Sequence, residues 1–405
     1  MAVGTQACDA GAKTTRSAAT SAAAKLSCGQ LDPTLAQDPS GILKTLPAAA
    51  QAAYTYDPYP VTGTPWSTFK GKKPPYKLAY VGEPYYGSAG WVSHVATEFK
   101  TLAAQYKKEG LVKSFQEFTP PDPATATPAQ QIAAFQQMVR EGVQGVFLLP
   151  LSAEAMNAEV DAAGKAGIPV IGVDAIFPGS KYALSVWGNN QEPTYPATLK
   201  LIHGSGNVLI VRGIPGGVDE QLWYNEAMAA VKACPHVKVA GTVYSQWDDA
   251  TAKSNILSWV AAHPGVKISA VLQMGGVTQG IMSAFQQLGG KMPAVNAAPC
   301  SVGQLSYELA HESSGYNMVS TCFSGYQTAW SSWGLMMRVL GGKEPKTSYI
   351  PVSFKDKLIT NANLKSIATA NKPLNDSDEP AGSLSGWASD SYMNMWFKKP
   401  GTPGR

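Results

Sequence analysis

The turn formed by Gly213, Ile214, Pro215, Gly216 and Gly217 stands just ahead of a helix-forming stretch. In that arrangement backbone N–H groups and the helix dipole can hold a phosphate. As a nucleotide fingerprint it is incomplete, and the 405 residues hold no P-loop, HExxH or GxSxG pattern. Five histidines, His94, His203, His236, His263 and His311, are dispersed and match no metal-ligand spacing. Asp248 and Asp249 follow Trp247 at an expected helix start, where a carboxylate caps N–H groups and favours the positive end of the dipole. No nucleophile with an acid–base partner stands out, so neither catalysis nor a cofactor nor a metal is expected.

The five cysteines fit no zinc or redox motif. Cys8 and Cys28 would close a loop in the leading segment, Cys300 and Cys322 would form a second pair, and Cys234 would remain a buried thiol. Two such bridges suit an oxidising compartment. Residues 1–26 are rich in Ala, Thr and Ser and lack the charged-then-apolar plan of a secretion signal, which is expected to have been removed ahead of them.

With 44% hydrophobic and 15% charged residues, the composition is that of a soluble globular protein. No run approaches the roughly 20 apolar residues that cross a bilayer. The net charge of +4 is not gathered into a basic stripe, which argues against nucleic acid as a partner.

The elements that must position any site fall into a regular order. Residues 1–75 are punctuated by Pro58, Pro60, Pro65, Pro74 and Pro75 with aromatics between them, which predicts an irregular extended arm laid over the body. From 76 onward short aliphatic runs alternate with stretches of helical periodicity. Strands are predicted at 77–81, 112–118, 145–150 and 168–173, with helices at 88–109, 128–141 and 153–166. Thr127 is the expected cap of the second helix, with Pro128 at its first position.

The same grammar then repeats, with strands at 207–211, 237–244, 269–273 and 293–296 and helices at 218–232, 248–262 and 277–288. A strand at 317–320, a helix at 325–340 and an extended segment at 349–354 follow. Alternating strands and helices build parallel sheets covered on both faces. The prediction is an α/β protein of two Rossmann-like, doubly wound lobes. Residues 76–186 plus 322–352 would form the first lobe, and 187–321 plus 353–405 the second. Crossings near 185–189, 320–323 and 350–353 would make a three-segment hinge. Ligands bind beyond the carboxyl ends of such strands, so facing sheets would hold a small molecule between them.

Four stretches carry a family resemblance: 80–86 with its closing tyrosines, 167–174 ending in aspartate, 207–216, and the helix 325–340 followed by Gly341 and Gly342. In this order, over about residues 76–360, they resemble the type I periplasmic binding proteins of the ribose-binding group. The resemblance implies an importer's solute-binding protein that closes on a carbohydrate and docks on a membrane permease. It also implies a monomer in the periplasm or at the cell surface. A lactose-repressor-like sensor shares the two-lobe body but needs a helix-turn-helix head, which the arm does not offer.

By the same resemblance, Tyr85 and Tyr86 stack on the ligand and Asp174 accepts hydrogen bonds from its hydroxyls, a pairing that suits a sugar's apolar face and polar rim. The family's arginine after the aspartate is Ala175 here. Met274-Gly275 and Asn296-Ala297 stand where the second lobe usually offers Asn or Asp, and Cys322 where a glutamine is common. Replacement contacts are expected from Arg212, Gln221, Asn189, Gln273 and Asn296, with Trp91 and Trp187 as further aromatic walls. The departures widen the expected ligands to polyols, nucleosides and aromatic acids.

Overall fold

The computed structural model describes residues 26–401 apart from 33, 86–89, 124, 190, 216–217, 354–356 and 381–387. Within the proline-punctuated arm, a short helix α1 (Ala48–Ala52) and 3-10 turns at Leu43–Thr45 and Pro65–Thr68 form. The first alternating set gives β1 (Tyr76–Val81), α2 (Gly90–Lys108), β2 (Val112–Phe118), α3 (Pro128–Arg140), β3 (Gly145–Leu148), α4 (Ala153–Lys165), β4 (Val170–Val173) and β5 (Ala183–Trp187). Thr127 and Gln130 close a reciprocal capping box at the start of α3.

The second set gives α5 (Thr194–Leu201), β6 (Ser205–Arg212), α6 (Val218–Lys232), β7 (His236–Tyr244) and α7 (Asp249–Ala262). It continues with β8 (Ala270–Gln273), α8 (Thr278–Leu288), β9 (Ala294–Ala297), α9 (Val302–His311) and β10 (Val319–Ser320). The chain then forms α10 (Gly325–Leu340), β11 (Tyr349–Pro351) and α11 (Asp390–Asn394).

Both sheets are parallel and share one plan. Their strand orders are β2-β1-β3-β4-β5-β11 and β7-β6-β8-β9-β10. In each sheet the order reverses beside the first strand, between β1 and β3 and between β6 and β8. There the crossovers leave to opposite faces and open a crevice at the strands' carboxyl ends. Strand alternation fills a core on each side of the first sheet: Leu78 and Tyr80 pack with Phe99, Phe147 and Trp333, while Ala79 and Val81 pack with Val146, Leu148 and Val160. The second sheet is likewise covered on both faces.

The chain passes between the lobes after β5, after β10 and after β11, near the three expected crossings. The tail corrects the predicted second-lobe boundary. Ile359 pairs with Ser320, and Asp376 and Asp378 accept N–H bonds from α9, so this part does lie on the second lobe. Ala388, Met393, Trp396 and Phe397 are instead buried in the first-lobe core. The buried Arg338 of α10 donates to Asp390 of α11 at 2.6 Å and fixes that return. The described chain is thus back in the first lobe from Ala388 onward.

The arm is part of the first lobe's core. The Tyr54 hydroxyl, fully buried, donates to the Tyr349 carbonyl at 2.7 Å and accepts from the Trp396 indole at 3.0 Å. The Trp66 indole donates to the Tyr182 carbonyl at 2.6 Å. Cys300 and Cys322 are bonded. Cys28, however, is bonded to Cys234 at the end of α6, so Cys234 is no free thiol. Cys8 lies outside the described residues. The arm is thus sewn to the second lobe while it packs in the first. Among the described residues no helix is long and apolar enough to cross a membrane.

Candidate functional site

Where the carboxyl ends of the two sheets face each other, loops enclose a cavity of about 140 Å³. A single buried water needs roughly 10–15 Å³ on this measure, so the space suits a guest on the order of ten heavy atoms. The first lobe contributes Glu83, Trp91 and Asp174, and the second contributes Asp219, Trp223 and Trp247. Phe323, on the passage after β10, stacks against Trp91 at 5.4 Å between ring centres.

Two of the acidic wall residues directly follow strand ends. Glu83 comes just after β1, and Asp174 immediately after β4. Asp174 takes a left-handed backbone conformation (φ 52°), and one of its carboxylate oxygens accepts the Gly188 N–H at 3.1 Å. Its other oxygen has no protein partner among the described residues. Asp219 sits in the first turn of α6, where the dipole favours a negative charge. Asp248 is the expected cap of α7, accepting the Thr251 N–H at 2.7 Å. Asp249 accepts the Gly280 N–H at 2.7 Å and also reaches the cavity.

The aromatic walls are held with equal definition. The Trp247 indole donates to the Met274 carbonyl at 2.9 Å and lies over Gly213 and Gly275. Any side chain at Gly213 would collide with that ring, so the glycine turn singled out for phosphate serves the close approach of an indole. The indole nitrogens of Trp91 and Trp223 are buried with no hydrogen-bond partner among the described residues, as is one carboxylate oxygen of Glu379. Unpaired buried donors and acceptors are uncommon in finished interiors.

Glu379 also bridges the lobes. Its neighbours in the tail are bonded to α9, while Glu379 accepts the Gly325 N–H of α10 at 2.9 Å and stands 3.1 Å from Nδ1 of His94 on α2.

The sequence-predicted contacts are scattered. Trp91 and Asp174 line the cavity. Tyr86 lies outside the described residues. Tyr85 is 43% exposed and donates to Glu117 at 2.9 Å, away from the cavity. Trp187 is fully buried, edge-on to Tyr59. Asn189 lines a separate small hollow, donating to Glu226 at 2.8 Å. Arg212 is engaged by Glu220 and Gln221, with its guanidinium 4.0 Å from the Tyr224 ring centre. The Gln221 amide in turn donates to Asn225 at 2.9 Å.

Gln273 and Asn296 are fully buried behind the cavity and bonded to each other. Asn296 donates to Gln191 at 3.2 Å, and Gln191 is the one that reaches the cavity. The sequence reading therefore passed over Glu83, Asp219, Trp223 and Trp247. Glu83 and Trp247 stand shortly after β1 and β7, which was the signal available, while Asp219 and Trp223 lie on the helix that follows β6.

Burial sets the electrostatics of the cleft. It pushes the Asp219 carboxyl up to about 7 and, with Asp219 nearby, Glu83 up to about 8. Asp174 is raised well above the usual range by burial first, then by Asp219 and Glu83, against the lowering Gly188 bond. Elsewhere burial lifts Asp57 and Glu308 to about 7, and Glu226 to about 8. All these folded-state values lie above those of an unfolded carboxylate, so between about pH 4 and 8 the folded chain holds more protons and loses stability as pH rises. Glu344, held down to about 2 by Lys399 and Lys70, acts only below its ordinary 4.5. The unliganded protein is accordingly expected to melt at a higher temperature at pH 5 than at pH 8. A melting temperature that climbed over that interval would show these groups ionised and compensated in the fold.

Among the described residues, no His/Cys/Asp/Glu group is arranged to hold a metal ion. What the walls can do is grip: indole faces for an apolar surface, carboxylates for hydroxyl or N–H donors, and two lobes to close over the guest.

Comparison with known proteins agrees with this geometry. The periplasmic binding protein domain model matches residues 81–343, more than half of the chain. The chain belongs to that family. An ABC transporter solute-binding protein from Thermobispora bispora superposes with a TM-score of 0.62 at 21% identity, covering 76% of this chain and 92% of that one. A Burkholderia graminis solute-binding protein in complex with D-arabinose has a TM-score of 0.57 at 17% identity, covering 73% and 98%. A Bacillus halodurans solute-binding protein with bound myo-inositol has a TM-score of 0.56 at 16% identity, covering 73% and 97%. The xylitol-binding protein of Mycolicibacterium smegmatis is 22% identical over 166 residues, which are 39% of this chain and 46% of that protein.

Proposed function

We propose that the chain is the extracytoplasmic solute-binding component of an ATP-driven importer, taking a polyhydroxylated small molecule of sugar or sugar-alcohol size and leaving it chemically unchanged. The observation that carries this reading is the cavity shared by the two lobes, walled by indole rings and by carboxylates with open oxygens. An open form captures the ligand on one lobe, closure adds the contacts of the other, and the permease engages the closed form. The similar proteins bound to D-arabinose and myo-inositol, and the xylitol-binding relative, support a polyhydroxylated guest. Two disulfides support an oxidising location outside the cytoplasm. The protein works as a monomer, since each chain carries a complete cleft.

Three tryptophans in the walls make the reading testable by intrinsic fluorescence. Titration with monosaccharides, sugar alcohols, nucleosides and aromatic acids is expected to give a saturable, one-to-one signal with a polyhydroxylated compound, recovered intact after prolonged incubation. A ligand recovered as a different compound would make the chain an enzyme. A response confined to nucleosides or aromatic acids would reassign the ligand class.

A further inference from the structure

The charge balance of the cleft goes further than a neutral sugar requires. Glu83, Asp174, Asp219, Asp249 and Glu379 reach the cavity, yet no lysine or arginine is among its described lining residues. The one basic side chain there, His94, lies against Glu379 and under the Tyr326 ring. The nearest candidate cation by sequence, Arg212, is occupied by Glu220. Glu83 and Asp219 have neither a hydrogen bond nor an ion pair among the described residues, and Asp174, only 6% exposed, keeps one oxygen open. Beside these carboxylates stand Trp91, Trp223 and Trp247, with the Trp223 indole nitrogen, in a residue 8% exposed, lacking a partner among the described residues.

Carboxylates screened from water and lacking a counter-charge either take up protons or pair with a cation. Indole faces add attraction for the same charge. We propose that the ligand is a polyhydroxylated amine, an amino sugar or amino alditol, whose protonated nitrogen sits among Glu83, Asp174 and Asp219 with its carbon skeleton against the tryptophans. This rests on the solute-binding reading above and specifies its ligand class. Without ligand, burial keeps Asp219 and Glu83 substantially protonated near neutrality, at about 7 and 8 respectively. A cation selects their ionised forms and so drives protons off on binding, whereas a neutral polyol makes no such demand.

Calorimetry of the full chain at pH 6.5, in two buffers of different ionisation enthalpy, separates the cases. The probes are matched pairs: glucose with glucosamine, galactose with galactosamine, sorbitol with 1-amino-1-deoxysorbitol, and xylitol with 1-amino-1-deoxyxylitol. At least one amine is expected to bind tenfold or more tightly than its neutral partner, with release of about one to two protons. Asp219→Asn, checked for folding by circular dichroism, is expected to weaken that amine at least tenfold and to diminish the proton release. A neutral partner that binds as well or better, or binding without proton release, overturns the cationic ligand while leaving the solute-binding reading in place. Failure of every amine also overturns it, and the neutral members then decide the broader reading by themselves.

Discussion

Replacing Asp174 with asparagine will leave the protein folded and weaken its ligand about tenfold to a hundredfold. The backbone at this position is left-handed, with φ 52°, a conformation that asparagine accepts better than most residues. The asparagine carbonyl oxygen can still accept the Gly188 N–H, now bonded at 3.1 Å, so the turn after β4 survives. What disappears is the carboxyl oxygen not bonded to Gly188, with the charge it takes on when a ligand's donors draw the buried group into its ionised form. Hydrogen bonds to a charged group contribute about 1.5–3 kcal/mol, which gives the stated factor. With Ala175 beside it and no arginine among the described lining residues, no described neighbour takes over the role. The comparison is a calorimetric titration of both chains with whichever compound saturates the fluorescence signal. Equal affinities would remove Asp174 from the binding surface.

The second large effect concerns stability. Cys28 and Cys234 close a loop across 206 residues and join the second lobe to an arm whose Tyr54 and Trp66 are buried in the first. Cross-linking so long a loop restricts the unfolded chain strongly, and its loss typically costs about 2–5 kcal/mol. The Cys28→Ser, Cys234→Ser double variant should therefore unfold at clearly lower urea concentration. The corresponding change at Cys300 and Cys322, which are 22 residues apart, should cost less. If the order of the two losses were reversed, the strap would be a decoration of the fold and not a constraint on it.

The α/β alternation was legible because strands and helices announce themselves locally. Val112–Phe118, Val218–Lys232 and Gly325–Leu340 run as the residue pattern predicts. The passage through β5 and α5 was not, because Ala183–Trp187 is short and lies where a crossing was expected. Nor did the polar tail reveal its return: the three aromatics Tyr392, Trp396 and Phe397 are too few and too close for a period, and only tertiary packing tells that they enter the first lobe. The Cys28–Cys234 pair has no local signature at all, since pairing follows from proximity in space.

The candidate site was legible in kind more than in detail. Asp174 and Trp91 sit where the strand-end rule puts them, and both reach the cavity. The same rule applied to every strand would have reached Glu83 after β1 and Trp247 after β7. Arg212 drew notice as a charge at a strand end, but it lies eight residues ahead of Glu220, which one turn of chain brings back onto it. Gln273 and Asn296 have the chemistry of ligand contacts, yet they spend their hydrogen bonds on each other and on Gln191, Thr194 and Thr278. A polar residue at a strand end is thus as often a brace for the site as a wall of it.

The most direct measurement is a crystal structure of the chain grown with a compound that saturates the fluorescence response. Density for that compound is expected between Trp91 of one lobe and Trp223 of the other, within hydrogen-bond distance of Asp174. A compound found on an outer face, with the space between the sheets still empty, would contradict the account.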